Sequence, residues 1–103
     1  MNMQQMMAQA QKMQRELRKA QAELAKKEFI VSKGGAVTVK VLGNKEIVEV
    51  NIDKDAFDPD NKEMIEELIP LALNEALAQI DKENEEIIKV QIKILLLNVY
   101  MEL

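Results

Sequence analysis

Met3, Met6, Ala10, Met13, Leu17, Ala20 and Leu24 recur at alternating spacings of 3 and 4 residues, the stripe of a long amphipathic helix. No Gly or Pro interrupts residues 1 to 33, and helix-forming residues fill nearly every place between Asn2 and Lys27. At 1.5 Å per residue, that helix spans roughly 40 Å. This exceeds the diameter of a 103-residue globule, so one end is expected to project or to dock on a second subunit. Beyond Lys27 the period falls to two. Phe29 and Val31 alternate with Ile30 and Ser32, Gly34-Gly35 supplies a turn able to take positive φ, and Val37, Val39 and Val41 share one face. Gly43-Asn44 marks a second hairpin, after which Val48, Val50 and Ile52 continue the apolar face opposite Glu49 and Asn51. Connections this short exclude a parallel crossover, so the three strands form an antiparallel meander with one face to be covered.

Asp58-Pro59-Asp60 then reads as a helix start, with Asp58 as N-cap, Pro59 in the first turn and Asp60 at the positive end of the dipole. Met64, Ile65, Leu68, Ile69, Ala72, Ala76, Leu77 and Ile80 form the stripe of this second long helix, which is expected to reach the charged stretch 81 to 86. Pro70 lies inside it and predicts a kink or a break near Glu66 to Pro70. The pattern predicts an α+β chain of order α-β-β-β-α.

Composition changes this picture in three ways. Hydrophobic residues make up 48% of the chain but aromatic residues only 3%, so the core is aliphatic, small and expected to gain from dimerisation. Cys and His are both absent, which removes disulfides, thiolate nucleophiles, the commonest general base and the usual transition-metal ligands. Catalysis is not indicated. Finally, the net charge of −4 is unevenly spread: residues 1 to 27 carry +4 and the remainder −8. A polyanion responds to the local field, so an acidic chain with a basic first helix remains compatible with one.

On that helix Lys12, Arg15, Lys19 and Lys26 lie away from the apolar stripe, with Arg18 beside them, where backbone phosphates could be met. Taken alone, the same pattern also fits a solvated face paired with Glu16 and Glu23. No helix-turn-helix, zinc finger or aromatic stacking platform supports base-specific readout. Asp53, Asp55, Asp58 and Asp60 lack the ligand spacing of a calcium loop, since Phe57, Asp58 and Met64 stand where an oxygen ligand, Gly and Glu are required. Neither a metal nor another cofactor is expected. Gly34-Gly35 precedes no helix N-terminus and is a hairpin turn, not a phosphate loop.

Several strings occur in a fixed order: Ala8-Gln9-Ala10-Gln11-Lys12-Met13-Gln14, Lys27-Glu28-Phe29, Gly34-Gly35-Ala36-Val37-Thr38-Val39, the Ile47 to Asp53 strand, Glu63 to Ile69 and Asn74-Glu75-Ala76-Leu77. Together they resemble the YbaB/EbfC family of bacterial nucleoid-associated proteins, over about residues 3 to 85. The resemblance implies an α-β-β-β-α protomer, a tweezer-like homodimer with helical arms, a cytoplasmic and nucleoid location, and double-stranded DNA as partner. It favours Lys12, Arg15, Arg18, Lys19 and Lys26 as DNA-binding residues and implies a role in nucleoid organisation or gene regulation. A replication or recombination protein as a further partner stays open, as does a non-DNA assembly module that uses the first helix and the C-terminal segment. One family-like domain is expected over 1–86. Residues 87–103 depart from it: they are apolar and β-branched, and could extend the helix, add a strand or arise from a reading-frame shift. The longest apolar run is interrupted by Lys89, Gln91, Lys93 and Asn98, too short and polar to span a bilayer. No membrane is expected as partner.

Overall fold

A computed structural model describes residues 2–101. Helix α1 covers Met3–Lys26, strands β1, β2 and β3 cover Glu28–Lys33, Val37–Leu42 and Ile47–Ile52, and α2 covers Lys62–Met101. Two single turns of 3₁₀ helix, Lys54–Ala56 and Pro59–Asn61, connect β3 to α2. The chain forms two compact units, one of Ala25–Lys82 and the other of Met1–Leu24 with Glu83–Leu103.

The first of these, the sheet unit, is an antiparallel meander in the order β1-β2-β3. Its first turn places Gly34 and Gly35 at φ 60° and 63°, a region that L side chains enter only at a cost. Cross-strand partners share a face: Val31 faces Val39, Val39 faces Val50, and Val37 faces Ile52. On the other face Ser32 and Thr38 share a 2.8 Å hydroxyl hydrogen bond, and Lys40 lies 3.8 Å from Glu28 and 3.7 Å from Glu49. Polar residues therefore keep that face wet, as the alternation predicts.

The first part of α2 covers the apolar face. Ile65, Ala72, Ala76 and Ile80 are buried with Phe29, Val31, Val37, Val39 and Val41. Small Ala residues at two consecutive turns let the helix backbone approach the sheet closely. Its direction follows from contacts at the two ends. Leu68 lies against Gly34 at the β1–β2 turn, and Lys45 at the β2–β3 turn pairs with Asp81 at 2.9 Å; α2 thus runs along β2. Lys33 pairs with Glu75 at 3.0 Å between these points.

Several local expectations hold, and others are corrected. Asn2 and Gln5 form a reciprocal capping box on α1, with backbone amides donating to Asn2 Oδ1 at 2.8 Å and Gln5 Oε1 at 3.1 Å. The Asp58 side chain accepts from the Asp60 amide at 2.8 Å, but the turn it caps is 3₁₀ before α2 proper begins at Lys62. In the second hairpin the positive φ falls on Lys45, at 73°, and not on Gly43 or Asn44. Asn44 acts there through its side chain, whose Oδ1 accepts from the Glu46 amide at 2.9 Å. Helix α2 is unbroken through Pro70, an exposed position where water can serve the carbonyl that proline leaves without a donor.

The other unit is a pair of helical segments. On α1 the half-buried or buried positions are Gln9, Met13, Leu17, Ala20, Gln21 and Leu24; on α2 they are Glu83, Asn84, Ile87, Gln91 and Leu95. Gln21 Nε2 donates to Asn84 Oδ1 at 3.3 Å. The stripe expected from Met3 onward is covered only from Met13, for Met3 and Met6 remain 76% and 57% exposed. The segment after Glu86 is helical through Met101. This realises the helix extension rather than the strand, because a helix already running supplies the nucleus that β-branched residues alone would not.

Candidate nucleic-acid interface

With successive side chains about 100° apart around a helix, Lys12, Arg15, Arg18 and Lys19 fall within an arc of roughly 120°. That arc lies opposite Met13, Leu17, Ala20 and Leu24, so burial of the stripe turns the cations to solvent, and all four are exposed. Lys26, in the last turn of α1, is exposed as well and belongs to the sheet unit. Glu16 and Glu23 stand four residues after Lys12 and Lys19, a spacing that permits pairing. Among the described residues, none of the five cations forms an ion pair. Their ammonium and guanidinium groups are open to an external anion. Long flexible side chains on a convex surface can track phosphates, yet they provide no fixed fork aimed at base edges.

The aspartates after β3 have a different task. Asp53 accepts from the Asp55 amide at 2.9 Å and Asp58 from the Asp60 amide, so both carboxylates cap turns. Among the described residues no group of three carboxylates is placed to hold a metal ion. Lys27 lies 5.2 Å from the centre of the Phe29 ring, a cation–π contact that shields an otherwise apolar ring.

One surface was not legible from the alternation. Val50 lies opposite Val39, yet Val39 is fully buried whereas Val50 is 43% exposed. Ile47 and Val48 on the same strand are also exposed. Beside them Ile52, Phe57, Pro59 and Ile65 line an apolar cleft. Helix α2 therefore covers two strands and leaves β3 with an uncovered face and a free hydrogen-bonding edge. The parity of Val50 and Ile52 signals the face, but Val48 departs from it, since an irregular register between Lys40 and Val41 sets Ile47 opposite Val41; nor does parity show how far the covering helix reaches.

A three-stranded meander preceded and followed in the chain by long helices, with unpaired cations along the first, defines an α+β chain of α-β-β-β-α order. It belongs to the YbaB/EbfC DNA-binding family, whose model matches residues 1–93. A nucleoid-associated protein of Clostridium novyi is 50% identical over 84 residues, covering 81% of this chain and 74% of that one. One from Malacoplasma penetrans is 39% identical over 89 residues, covering 86% and 95%. A crystal structure of an uncharacterized protein from Helicobacter pylori shares the fold, with a TM-score of 0.73 at 20% identity over 89% of this chain and 98% of that one.

Proposed function

We propose that this chain is a cytoplasmic nucleoid-associated protein that binds double-stranded DNA, mainly through phosphate contacts from α1, and contributes to nucleoid organisation or gene regulation. The observation that carries this reading is the exposed, unpaired cationic arc of Lys12, Arg15, Arg18 and Lys19, with Lys26 following. Membership in a DNA-binding family supports the nature of the anion. If about four phosphates are neutralised per dimer, log affinity is expected to fall with log salt at a slope of roughly −3.6. Replacing Arg15 and Lys19 together by Ala is expected to weaken binding to all duplexes alike and to flatten that slope. The helix survives, since both sites are exposed and Ala is the best helix former. Unchanged affinity and slope in the folded double variant would remove α1 as the contact surface.

The functional unit is proposed to be a homodimer. Support comes from the uncovered apolar face of β3 and the adjoining cleft, which a monomer would leave in water. Two-fold symmetry would present two copies of the cationic helix to one duplex. Sedimentation is expected to show a dimer at micromolar concentration; a well-folded monomer at high concentration would defeat this.

A further inference from the structure

The positions three and four residues before and after Arg15 hold Gln11, Lys12, Arg18 and Lys19, three cations and no acid. Like charges at these spacings weaken a helix. The first turn of α1 also has no acid to complement the dipole, and Met3 and Met6 beyond it are uncovered. The cationic stretch of α1 therefore gains little from its own sequence. What holds it is the seam with α2, and that seam is thin. Gln9, Gln21, Asn84 and Gln91 fill inward positions with amides, and Gln9 and Met13 line a cleft with Gln91 and Leu95 instead of closing on them. Of α1 only Leu24 is buried among the described residues.

The two segments contribute unequally to this pair. The distal turns of α2 continue a helix whose first part is buried against the sheet, so they extend an existing nucleus. Residues 3–20 of α1 have no such support. Beyond Leu24 they depend on half-buried Met13, Leu17 and Ala20, set against a segment whose half-buried aliphatic groups are Ile87 and Leu95. With so little apolar surface covered, local opening costs less here than in the sheet unit. A duplex alters that balance. Phosphates beside Lys12, Arg15, Arg18 and Lys19 neutralise the repulsion between them, and only a helical α1 sets these cations in one arc. An anion that binds the ordered form better than the open one stabilises the ordered form by the same differential affinity.

On the DNA reading above, we infer that Ile87 and Leu95 of α2 are positioning residues for the cationic arc: they hold residues 3–20 of α1 helical through the seam, and opening of the seam weakens DNA binding. The test uses the full chain with Ile87→Gln and Leu95→Gln together, since Gln keeps α2 helical and every cation of α1 remains. Duplex affinity is expected to fall about fivefold, as binding-competent α1 becomes the minor form. In I87Q/L95Q, unlike the parent, duplex is expected to raise helical ellipticity, because binding must order α1. A merely structural role would not make helix formation depend on DNA. Amide exchange over residues 3–20 of the free parent is expected to be faster than in β2, and faster still in I87Q/L95Q. Q21L/N84L, which lies outside the arc, is expected to slow that exchange without weakening binding. A retained cooperative urea transition shows that the sheet unit of each variant is folded. If the parent binds duplex with the salt slope given above and I87Q/L95Q binds equally well, this inference is overturned and the DNA reading stands; absence of binding by the parent removes both. Exchange in α1 as slow as in β2, unchanged ellipticity of I87Q/L95Q on adding duplex, or weaker binding by Q21L/N84L also overturns it.

Discussion

The two compact units use the same aliphatic vocabulary and reach very different degrees of burial. In the sheet unit Val39, Val41, Ala72 and Ala76 are fully buried and Ile80 is 2% exposed. In the paired helical segments Leu24, at 9%, is the one position that reaches burial among the described residues. Geometry accounts for the difference. A helix laid on a sheet meets a broad apolar layer, whereas a helix beside one other helix covers a single stripe and leaves the rest of each cylinder in water. Polar residues mark the same contrast. Gln21, Asn84 and Gln91 are half-buried within the seam between the two helical segments, whereas the half-buried Thr38 and Lys40 of the sheet unit lie on the face away from its core. An apolar stripe thus sets which side of a helix turns inward, and the breadth of its partner sets how much stability follows.

The sharpest way to break this comparison lies within the sheet. Val39 and Val50 are cross-strand partners on one face, but only Val39 is covered. Val39→Asp is expected to cost roughly 3–5 kcal/mol, because an unpaired carboxylate would be buried, enough to unfold much of a small domain in urea titrations. Val50→Asp places the same carboxylate on an uncovered surface. Its expected result is a folded chain that sediments as a monomer, with little loss of protomer stability. Equal destabilisation by both substitutions, or a dimeric V50D, would show that β3 is not the pairing face.

How much of this was legible in the sequence depends on whether a feature is local. Parity in β1 and β2, the Gly34-Gly35 turn and the Asp58 side-chain cap follow from interactions within a few residues, and the structure has them, although that cap serves a 3₁₀ turn ahead of α2. The cationic arc was equally legible, because the opposition of charge and stripe is fixed by helix geometry. What escaped depends on partners distant in the chain. Met3 and Met6 share the period of Met13, but no facing residue covers them. Val50 shares the parity of Ile52, but α2 meets only the Ile52 end of β3, and an irregular register between Lys40 and Val41 sets Ile47, not Val48, opposite Val41. The helical state of residues 87 to 101 is a third case: alternating Ile and Val favour a strand locally, and the preceding helix decides otherwise.

A middle-sized effect sharpens the contrast between units. Deleting Ile87 to Leu103 removes Gln91 and Leu95, which line a cleft with Gln9 and Met13, and it leaves every residue of the sheet unit in place. The sheet unit is expected to keep a cooperative transition, while helical ellipticity falls by more than the deleted residues alone contribute, as the start of α1 frays. The stability loss is expected to be about 1–2 kcal/mol, the worth of one or two partly buried aliphatic groups. Solubility is expected to rise as exposed Leu96, Leu97 and Tyr100 are removed. A truncated chain without cooperative unfolding would show that the two units fold as one.

The smallest effect probes why the helical pair is weakly held. Gln21 and Asn84 spend inward-facing positions on a single 3.3 Å hydrogen bond, whose net worth is about 1 kcal/mol because water would serve both amides in the unfolded chain. Gln21→Leu alone leaves the half-buried Asn84 amide without this donor and is expected to cost about 1 kcal/mol. Replacing both residues by Leu leaves neither amide to be satisfied and extends the apolar stripe between Leu17 and Leu24. The double variant is therefore expected to exceed the parent by about 1 kcal/mol, so that the effects of the two single changes do not add. Urea titrations of the parent, both single variants and the double variant measure this coupling directly. Strict additivity would mean that the two side chains do not interact in solution, and that the helical pair owes its low burial to geometry alone.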